Sequence, residues 1–291
     1  MIILKNLVSF CMLIMIAPLP TWSQENCGEI EFIRHMMNIE EYQDALYLLD
    51  KAKNMTDCQN PAAKDKIAFL TGKCHYRLKN LNQSARAWLN VSPVSEDYEQ
   101  ARFFAAYEQV HLNLRFKGKA ILDSLALTNE NLKQLKNFQL AGIALLNRQS
   151  EKYRSYREKM KSSWYPIEKG KKNFQEIYQS LEKHKTKSPL LAGILSAVVP
   201  GLGKIYAGKT GEGISAFLTV GIMGGMTAES YLKDGIKAPR TLIFGALFGT
   251  YYIGNIWGSV FSVKIAENEF NESINKNILI HLHVPLRTVF D

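Results

Sequence analysis

Residues 188–210 read SPLLAGILSAVVPGLGKIYAGKT and divide the chain into two parts of different character. The residues before them form mainly amphipathic helical patterns, whereas two long apolar stretches follow them. Within the segment, residues 190–199 are apolar but too short to cross a bilayer, and Pro200 and the glycines beside it end a helix. We therefore predict a short helix at 189–200 that enters a membrane only part way and then turns.

Residues 203–210, GKIYAGKT, match the phosphate-binding pattern G-x-x-x-x-G-K-[ST]. Enzymes with such a loop also need an acidic residue on a second apolar strand to hold magnesium. No acid follows in that setting, because Asp234 lies in a polar loop and Asp291 is the last residue. We therefore expect the match to be coincidental, and we predict no cofactor.

Two apolar segments, 211–232 and 241–263, are long enough to span a bilayer. Both contain G-x-x-x-G spacings, which let helix backbones approach closely in lipid. The sequence predicts a membrane hairpin packed through its glycines. These are Gly221, Gly225, Gly245, Gly249, Gly254 and Gly258. Two spans would leave the basic loop between them in the cytoplasm. Three spans would reverse the second and third helices, and we prefer two.

The N-terminus has the pattern of a signal peptide, which we place at 1–23. Lys5 precedes an apolar core at 7–17, and small residues end at a cleavage point after Ser23. An uncleaved anchor is the alternative. Either interpretation exports the region that follows, so we predict an inner-membrane protein of the bacterial cell envelope with its N-terminal domain in the periplasm.

Three cysteines follow the signal, in a compartment that favours disulfides. Cys27 and Cys58 both stand at the start of a predicted helix in adjacent helix pairs, so we expect them to form a disulfide. Cys74 falls in the middle of a helix and is expected to be a buried thiol. Three unpaired thiols are the alternative.

Residues 24–165 show helical periodicity in pairs of helices. Small residues alternate with a large residue one turn later, which lets paired helices approach and fills the gap between them. The second helices of the four pairs are EEYQDALYLLDKA (40–52), LNQSARAWLNV (81–91), FKGKAILDSL (116–125) and QSEKYRSYREKM (149–160). This arrangement resembles the tetratricopeptide repeat family in divergent form. The resemblance implies an all-α solenoid whose concave face binds a partner peptide or domain. An irregular helical domain without a binding face is the alternative.

The segment at 188–213 also resembles the opening of a small bacterial membrane module of unknown function, with the pattern SPxxAxxLSxxxPGxGxxYxG. The matching positions include Ser188, Pro189, Pro200, Gly201, Gly203, Tyr206 and Gly208. Lys204 departs from the pattern, where a glutamine is expected. The resemblance extends the membrane module over 188–264 and implies no catalytic residue.

Two polar segments flank this module. A basic amphipathic connector helix is predicted at 166–187, and a polar helix and tail at 265–291. Because much of the net charge of +9 lies just before the module, it favours lipid headgroups over nucleic acid as the partner, with simple solvation of the basic residues as the alternative. His281 and His283 lack a third ligand, so no metal site is predicted.

Three functional hypotheses follow. The preferred one is a non-enzymatic, membrane-anchored scaffold whose repeat domain binds a protein partner in the cell envelope. The second is a small oligomeric membrane channel or transport component with the repeat domain as a lid, which relies on the G-x-x-x-G faces for self-association. Nucleotide binding at 203–210 is the least favoured.

Overall fold

The computed structural model describes residues 27–160 and 163–290, so the predicted signal peptide at 1–23 lies outside the described residues. Within this part the chain forms thirteen α-helices, one 3-10 turn and no strand, which confirms the predicted all-α class. The helices are α1 (Glu29–Asn38), α2 (Tyr42–Ala52), α3 (Pro61–Arg77), α4 (Leu81–Leu89), α5 (Tyr98–His111), α6 (Arg115–Ser124), α7 (Glu130–Leu146), α8 (Ser150–Glu158), α9 (Tyr165–Lys183), α10 (Pro189–Val198), α11 (Leu202–Ala207), α12 (Thr210–Asp234) and α13 (Pro239–Phe290), with the 3-10 turn at Thr56–Cys58.

The chain divides into two compact units, the first ending at Thr128 and the second beginning at Asn129. Helices α1–α6 belong to the first unit, and α7–α13 belong to the second. The sequence predicted one repeat domain over 24–165. In the structure three of its helix pairs form the first unit, while the fourth pair, α7 and α8, belongs to the second.

The four helix pairs share one turn geometry. A non-glycine residue with positive φ stands between the two helices of each pair, at Glu40, Lys79, Asn113 and Arg148. In every case the amide of the next residue bonds the carbonyl five residues earlier, at 2.8–3.0 Å. This bond closes the first helix as a Schellman motif, in which a left-handed residue turns the chain back. The repeated turn is thus a structural feature that the helical periodicity alone does not reveal.

The interior of the first unit is built on close contact between α3 and α4. Gly72 of α3 lies against the indole of Trp88, where a Cβ atom would overlap the ring. The Trp88 Nε1 atom donates to the carbonyl of Phe69 at 3.1 Å, and the Ser84 hydroxyl donates to the carbonyl of Gly72 at 2.8 Å. The Trp88 ring also packs on Phe104 of α5, with 5.0 Å between ring centroids. A small residue facing a large one therefore lets these helices pack closely.

Cys27 and Cys58 are joined by a disulfide in the structure, across a sequence separation of 31 residues. The bond ties the start of α1 to the 3-10 turn that precedes α3. Cys74 is a free, fully buried thiol in the middle of α3. Burial raises the pKa of the Cys74 thiol to about 12, so it is protonated at neutral pH.

In the second unit the end of α13 packs on α7 and α9. A stripe at every fourth residue of α13 is buried. It comprises Ile274, Ile278, Leu282 and Leu286. Leu282 lies against Gly142 of α7, and its carbonyl accepts a 2.8 Å hydrogen bond from Gln139 Nε2. Residues 265–290 of the segment predicted as a polar helix and tail are therefore the last part of one long helix, and their apolar stripe is a packing face.

The predicted spans 211–232 and 241–263 both lie in helices, α12 and α13. In residues 27–160 and 163–290, however, no helix is both long enough and apolar enough to cross a membrane. The physical reason is composition: glycine, serine, threonine and tyrosine interrupt the apolar residues of both helices and lower their mean hydropathy. The predicted membrane hairpin is therefore not supported as a pair of spanning helices.

Candidate functional site

The first candidate site is the segment 188–210 and its contacts with α13. Ser188 caps α10, because its hydroxyl accepts from the Leu191 amide at 3.3 Å, and Pro189 is the first residue of the helix. The Ser188 amide donates to the Tyr206 hydroxyl at 3.2 Å, which links the start of α10 to α11. These three positions of the predicted motif thus have structural roles.

A buried hydrogen-bond network connects α10 and α13. Ser196 and Ser259 hydroxyls are 2.6 Å apart, and both residues are fully buried. The Ser196 hydroxyl also accepts from the Gly203 amide at 2.9 Å, while Asn255 Oδ1 accepts from the Gly201 amide at 3.1 Å. Two backbone amides of the turn between α10 and α11 are thereby satisfied by side chains. Asn255 thus joins α13 to the turn that follows α10.

Three glycines of the motif are required by backbone geometry. Gly201 and Gly208 have φ values of +86° and +98°, which a residue with a side chain rarely adopts. A Cβ atom on Gly203 would overlap the carbonyl oxygen of Ala192, and one on Gly201 would overlap the carbonyl oxygen of Gly213. The backbones therefore approach each other closely at both positions. The motif encodes the two tight turns that connect α10, α11 and α12.

The stretch 203–210 does not have the conformation of a phosphate-binding loop. Residues 202–207 form the helix α11, and the Lys209 amide is bonded to the Lys204 carbonyl at 2.9 Å. The Lys209 ammonium lies 3.4 Å from Glu269 and 3.7 Å from Glu212. Because the backbone amides and the lysine are occupied within the chain, this geometry opposes nucleotide binding at the motif.

The glycines predicted to pack the hairpin do not make its close contacts. A Cβ atom on Gly221, Gly225, Gly249 or Gly254 would meet nothing within 4 Å. Gly245 and Gly258 make only ordinary contacts, with the nearest atoms at 3.7 Å and 3.5 Å. The tight approaches lie instead at glycines of the 188–213 region and at Gly224, which faces Phe248 at 3.2 Å. Spacing alone could not reveal which side of each helix faces its neighbour.

The helices α10–α13, up to residue 263, carry polar residues inside and apolar residues outside. Six buried polar residues lie in this stretch: Ser196, Ser230, Thr241, Asn255, Ser259 and Ser262. Its buried apolar residues are only Ala192, Ala207, Val220 and Val263. The large apolar side chains are exposed, among them Leu190, Val198, Leu232, Leu242 and Trp257 at 60% or more. This distribution is the inverse of a water-soluble helical bundle.

The first unit contains a second candidate site, a groove of about 350 Å³ between α1 and α3. Its lining residues are Arg34, Met37, Asn38, Tyr42, Lys66, Phe69, Leu70, Lys73 and Arg77. The four cations surround a buried apolar floor, and no carboxylate lines the groove. Lys66 is held by Asp97 at 2.9 Å and Glu96 at 3.2 Å, whereas Arg34 and Lys73 make no ion pair within the described part of the chain. We call this surface the basic groove.

His281, one of the two histidines of the tail, lies between α9 and α13. Asn173 Nδ2 lies 3.2 Å from His281 Nδ1, and burial lowers the pKa of His281, with the charge of Lys169 adding to the effect. Among the described residues no cluster of His, Cys, Asp or Glu could hold a metal ion. His281 is therefore a packed side chain between α9 and α13.

Comparison of the chain with protein-family models, with curated proteins and with solved structures gives no match.

Proposed function

We propose that the chain is a non-enzymatic scaffold, whose second unit contacts a lipid bilayer and whose first unit binds an acidic segment of a protein partner. The observation that carries the proposal is the inverted distribution of side chains in α10–α13. Burying hydrogen-bonded serines and asparagine while exposing leucine, isoleucine and tryptophan is favourable where the surroundings are apolar. Lipid acyl chains provide such surroundings.

Charge supports lipid as the occupant of this surface. No charged residue occurs at 213–228 in α12 or at 241–263 in α13. Arg240 and Lys264 border the stretch of α13. The stretch of α12 is bordered by Glu212 and Glu229, which form ion pairs with Lys209 and Lys233. The uncharged part of α13 is about 35 Å long at 1.5 Å per residue, similar to the apolar thickness of a bilayer. Basic residues bordering an apolar surface match anionic headgroups at the membrane interface. The proposal concerns contact of this surface with lipid and does not require one helix to cross the bilayer.

The basic groove supports an acidic partner. Cations on both walls would pair with carboxylates, and the apolar floor of Met37, Phe69 and Leu70 would receive an apolar side chain between them. The disulfide fixes the start of α1 near the turn before α3, which preorganises the two walls. This part of the proposal agrees with the resemblance to helical-repeat proteins, whose concave faces bind peptides.

Flotation of the full chain with liposomes tests both halves. The wild type, added with a labelled decapeptide of alternating glutamate and leucine, should float with anionic phospholipid vesicles and carry the peptide with it. The double variant Arg34→Gln/Lys73→Gln should still float but carry little of the peptide. Because it lacks two charge-assisted contacts, its affinity for the peptide should fall about tenfold. Arg86→Gln, an exposed arginine on α4 outside the groove, is the matched control.

Each half has its own negative result. If the wild type stays at the bottom of the gradient as a stable dimer or larger oligomer, the apolar surface is covered by a second copy and contact with lipid is wrong. If the groove variant retains the peptide as well as Arg86→Gln does, or if a glutamine–leucine peptide binds equally, the acidic partner is wrong.

A further inference from the structure

A groove of about 570 Å³ lies in the outer surface of α11, α12 and α13. Lys204 of α11 lies at one side of the groove. The first turns of α12 and the 250–255 stretch of α13 supply the other walls. Most of the groove is lined by hydroxyl-bearing and small residues, whereas the adjacent outer surface carries Ile214, Phe217 and Leu218. A groove that combines a lysine with four hydroxyl-bearing residues is unexpected on a surface that contacts only acyl chains.

Lys204 is the charged group of this groove that lacks a partner. Its stem packs over Gly258, where an added Cβ would lie 3.5 Å from Cε and 3.8 Å from Nζ. The side chain is half-buried, and within the described part of the chain its ammonium makes no hydrogen bond or ion pair. Glu212 also lines the groove, but its carboxylate lies 3.7 Å from the Lys209 ammonium. An unpaired, partly buried cation favours binding of an anion.

Four hydroxyl-bearing residues line the same groove as Lys204. Thr219 and Thr250 already donate their hydroxyl protons to carbonyls of their own helices, at 2.9 Å each. The hydroxyls of Ser215 and Tyr251 donate no hydrogen bond among the described residues, so both are available to a ligand. Residues from three helices thus line one groove with potential donors: the ammonium of Lys204 and the hydroxyls of Ser215 and Tyr251. Phosphate oxygens accept such hydrogen bonds, and charge-assisted ones are the strongest.

We propose that this groove binds the phosphate group of a membrane phospholipid, with Lys204 as its counter-ion and Ser215 and Tyr251 as hydrogen-bond donors. The inference rests on the proposed contact of the second unit with lipid, because the acyl chains would then lie along the apolar residues beside the groove. It adds to that proposal a specific site, where the headgroup rather than the bulk bilayer is recognised.

Two glycines keep the groove open and provide a clean test. Gly211 and Gly254 line it, and a Cβ atom on either would meet nothing within 4 Å. Neither has a positive φ. A side chain at Gly254 would therefore occupy the groove without disturbing the fold. Gly249 is equally open but does not line the groove, so it is a matched control on the same helix.

The experiment measures binding of short-chain phosphatidylglycerol to the full chain in non-ionic detergent, by native mass spectrometry and by the shift in melting temperature. The wild type and Gly249→Leu should bind the lipid equally. Lys204→Met, which keeps the stem and removes the charge, and Gly254→Leu, which fills the groove, should each bind it about tenfold more weakly. Lys204→Arg should retain most of the binding.

Three outcomes would overturn the site or its ligand. Equal binding by the wild type, Lys204→Met and Gly254→Leu removes the groove as the site. Equal binding of a diacylglycerol with the same acyl chains removes the phosphate as the recognised group. Equal stabilisation by inorganic phosphate alone assigns the groove to a free anion instead of a lipid. Failure of the wild type to float with liposomes is a separate result. It would reject the proposed contact with a bilayer, but it would not affect the phospholipid binding measured in detergent.

Discussion

The interior of the first unit and the interior of α10–α13 are built from opposite kinds of residue. Trp88, Phe103 and Phe104 are among the largest side chains fully buried in the first unit. Ser196 and Ser259 are fully buried in α10–α13, where no leucine, isoleucine or phenylalanine is buried before residue 264. The same chain therefore uses apolar burial in one region and hydrogen bonds with close backbone contact in the other.

This difference indicates what surrounds each region. Burial of large apolar side chains stabilises a fold in water by about 25 cal/mol for each Å² removed from solvent. Hydrogen bonds between small polar side chains stabilise a fold by only about 1 kcal/mol each in water, but leaving them unpaired in apolar surroundings is costly. The first unit thus has an interior of large apolar side chains, and the polar interior of α10–α13 is consistent with the lipid contact proposed above.

The disulfide gives the largest expected effect and belongs to the first unit alone. Replacing both Cys27 and Cys58 with alanine should lower the unfolding free energy of that unit by about 3–4 kcal/mol, since the bond closes a loop of about 30 residues in the unfolded chain. Hydrogen-exchange mass spectrometry reports the two units separately. Cys74→Ala, which removes a buried thiol without a bond, should cost less. Equal losses in both units would show that the regions do not unfold separately.

A smaller effect is expected at Gly203. It tests whether close backbone contact stabilises α10–α13, in contrast to the apolar burial of the first unit. Gly203→Ala places a methyl group on the Ala192 carbonyl oxygen and should destabilise α10–α13 by about 2–3 kcal/mol, because neither backbone can move freely. Gly249→Ala is the control, since its methyl group would enter open space. The measurement is thermal aggregation of the purified protein in detergent. If Gly249→Ala is the less stable variant, the G-x-x-x-G face predicted from the sequence packs the hairpin after all.

The helical architecture was largely predictable from the sequence, and the side of each helix that faces its neighbours was not. Helical periodicity and the pairing of small with large residues predicted the paired helices α1–α8. The open side of α12 and α13 was not predictable, because glycines occur on several faces of both helices. Gly221 and Gly225 have the G-x-x-x-G spacing of a packing face, yet an added Cβ atom on either would have no neighbour within 4 Å. Gly203 has no glycine four residues away, and it nevertheless makes a close backbone contact.

The candidate sites also divide into residues that the sequence could indicate and residues that it could not. Ser188, Pro189 and Gly201 could be selected from the sequence, because capping, helix starts and tight turns have local signatures. The basic groove and the Lys204 groove could not, since each combines residues from helices whose relative position is a tertiary property. The apolar spacing of Ile274, Ile278 and Leu282 was present in the sequence and could have indicated that the tail packs as a helix.

The smallest expected effect concerns Glu108, a buried carboxylic acid of the first unit. Asp65, which is also buried there, accepts hydrogen bonds from Ser92, whereas Glu108 lies in the apolar interior. Glu108 of α5 is fully buried, and neither of its carboxyl oxygens has a hydrogen-bond partner there. Burial raises the pKa of Glu108 to about 8, and the nearby Ser84 hydroxyl lowers it only in part, since that hydroxyl donates to the Gly72 carbonyl. In the unfolded chain the pKa of a glutamate is about 4.3.

The sign of the pH dependence follows from these two values. Between about pH 4.3 and pH 8 the folded unit holds a proton that the unfolded chain has released, so its stability falls as the pH rises through this window. The Glu108→Gln variant cannot ionise and should lose this dependence, gaining about 1–2 kcal/mol over the wild type at pH 8 and little at pH 5. Hydrogen exchange of α4 and α5 amides at the two pH values is the measurement.

The control is Phe104→Leu, a change in the same interior, which should lower stability equally at both pH values. If the Glu108→Gln variant keeps the slope of the wild type, the carboxyl is hydrated in solution, and the first unit is less like a dry apolar core than its packing indicates.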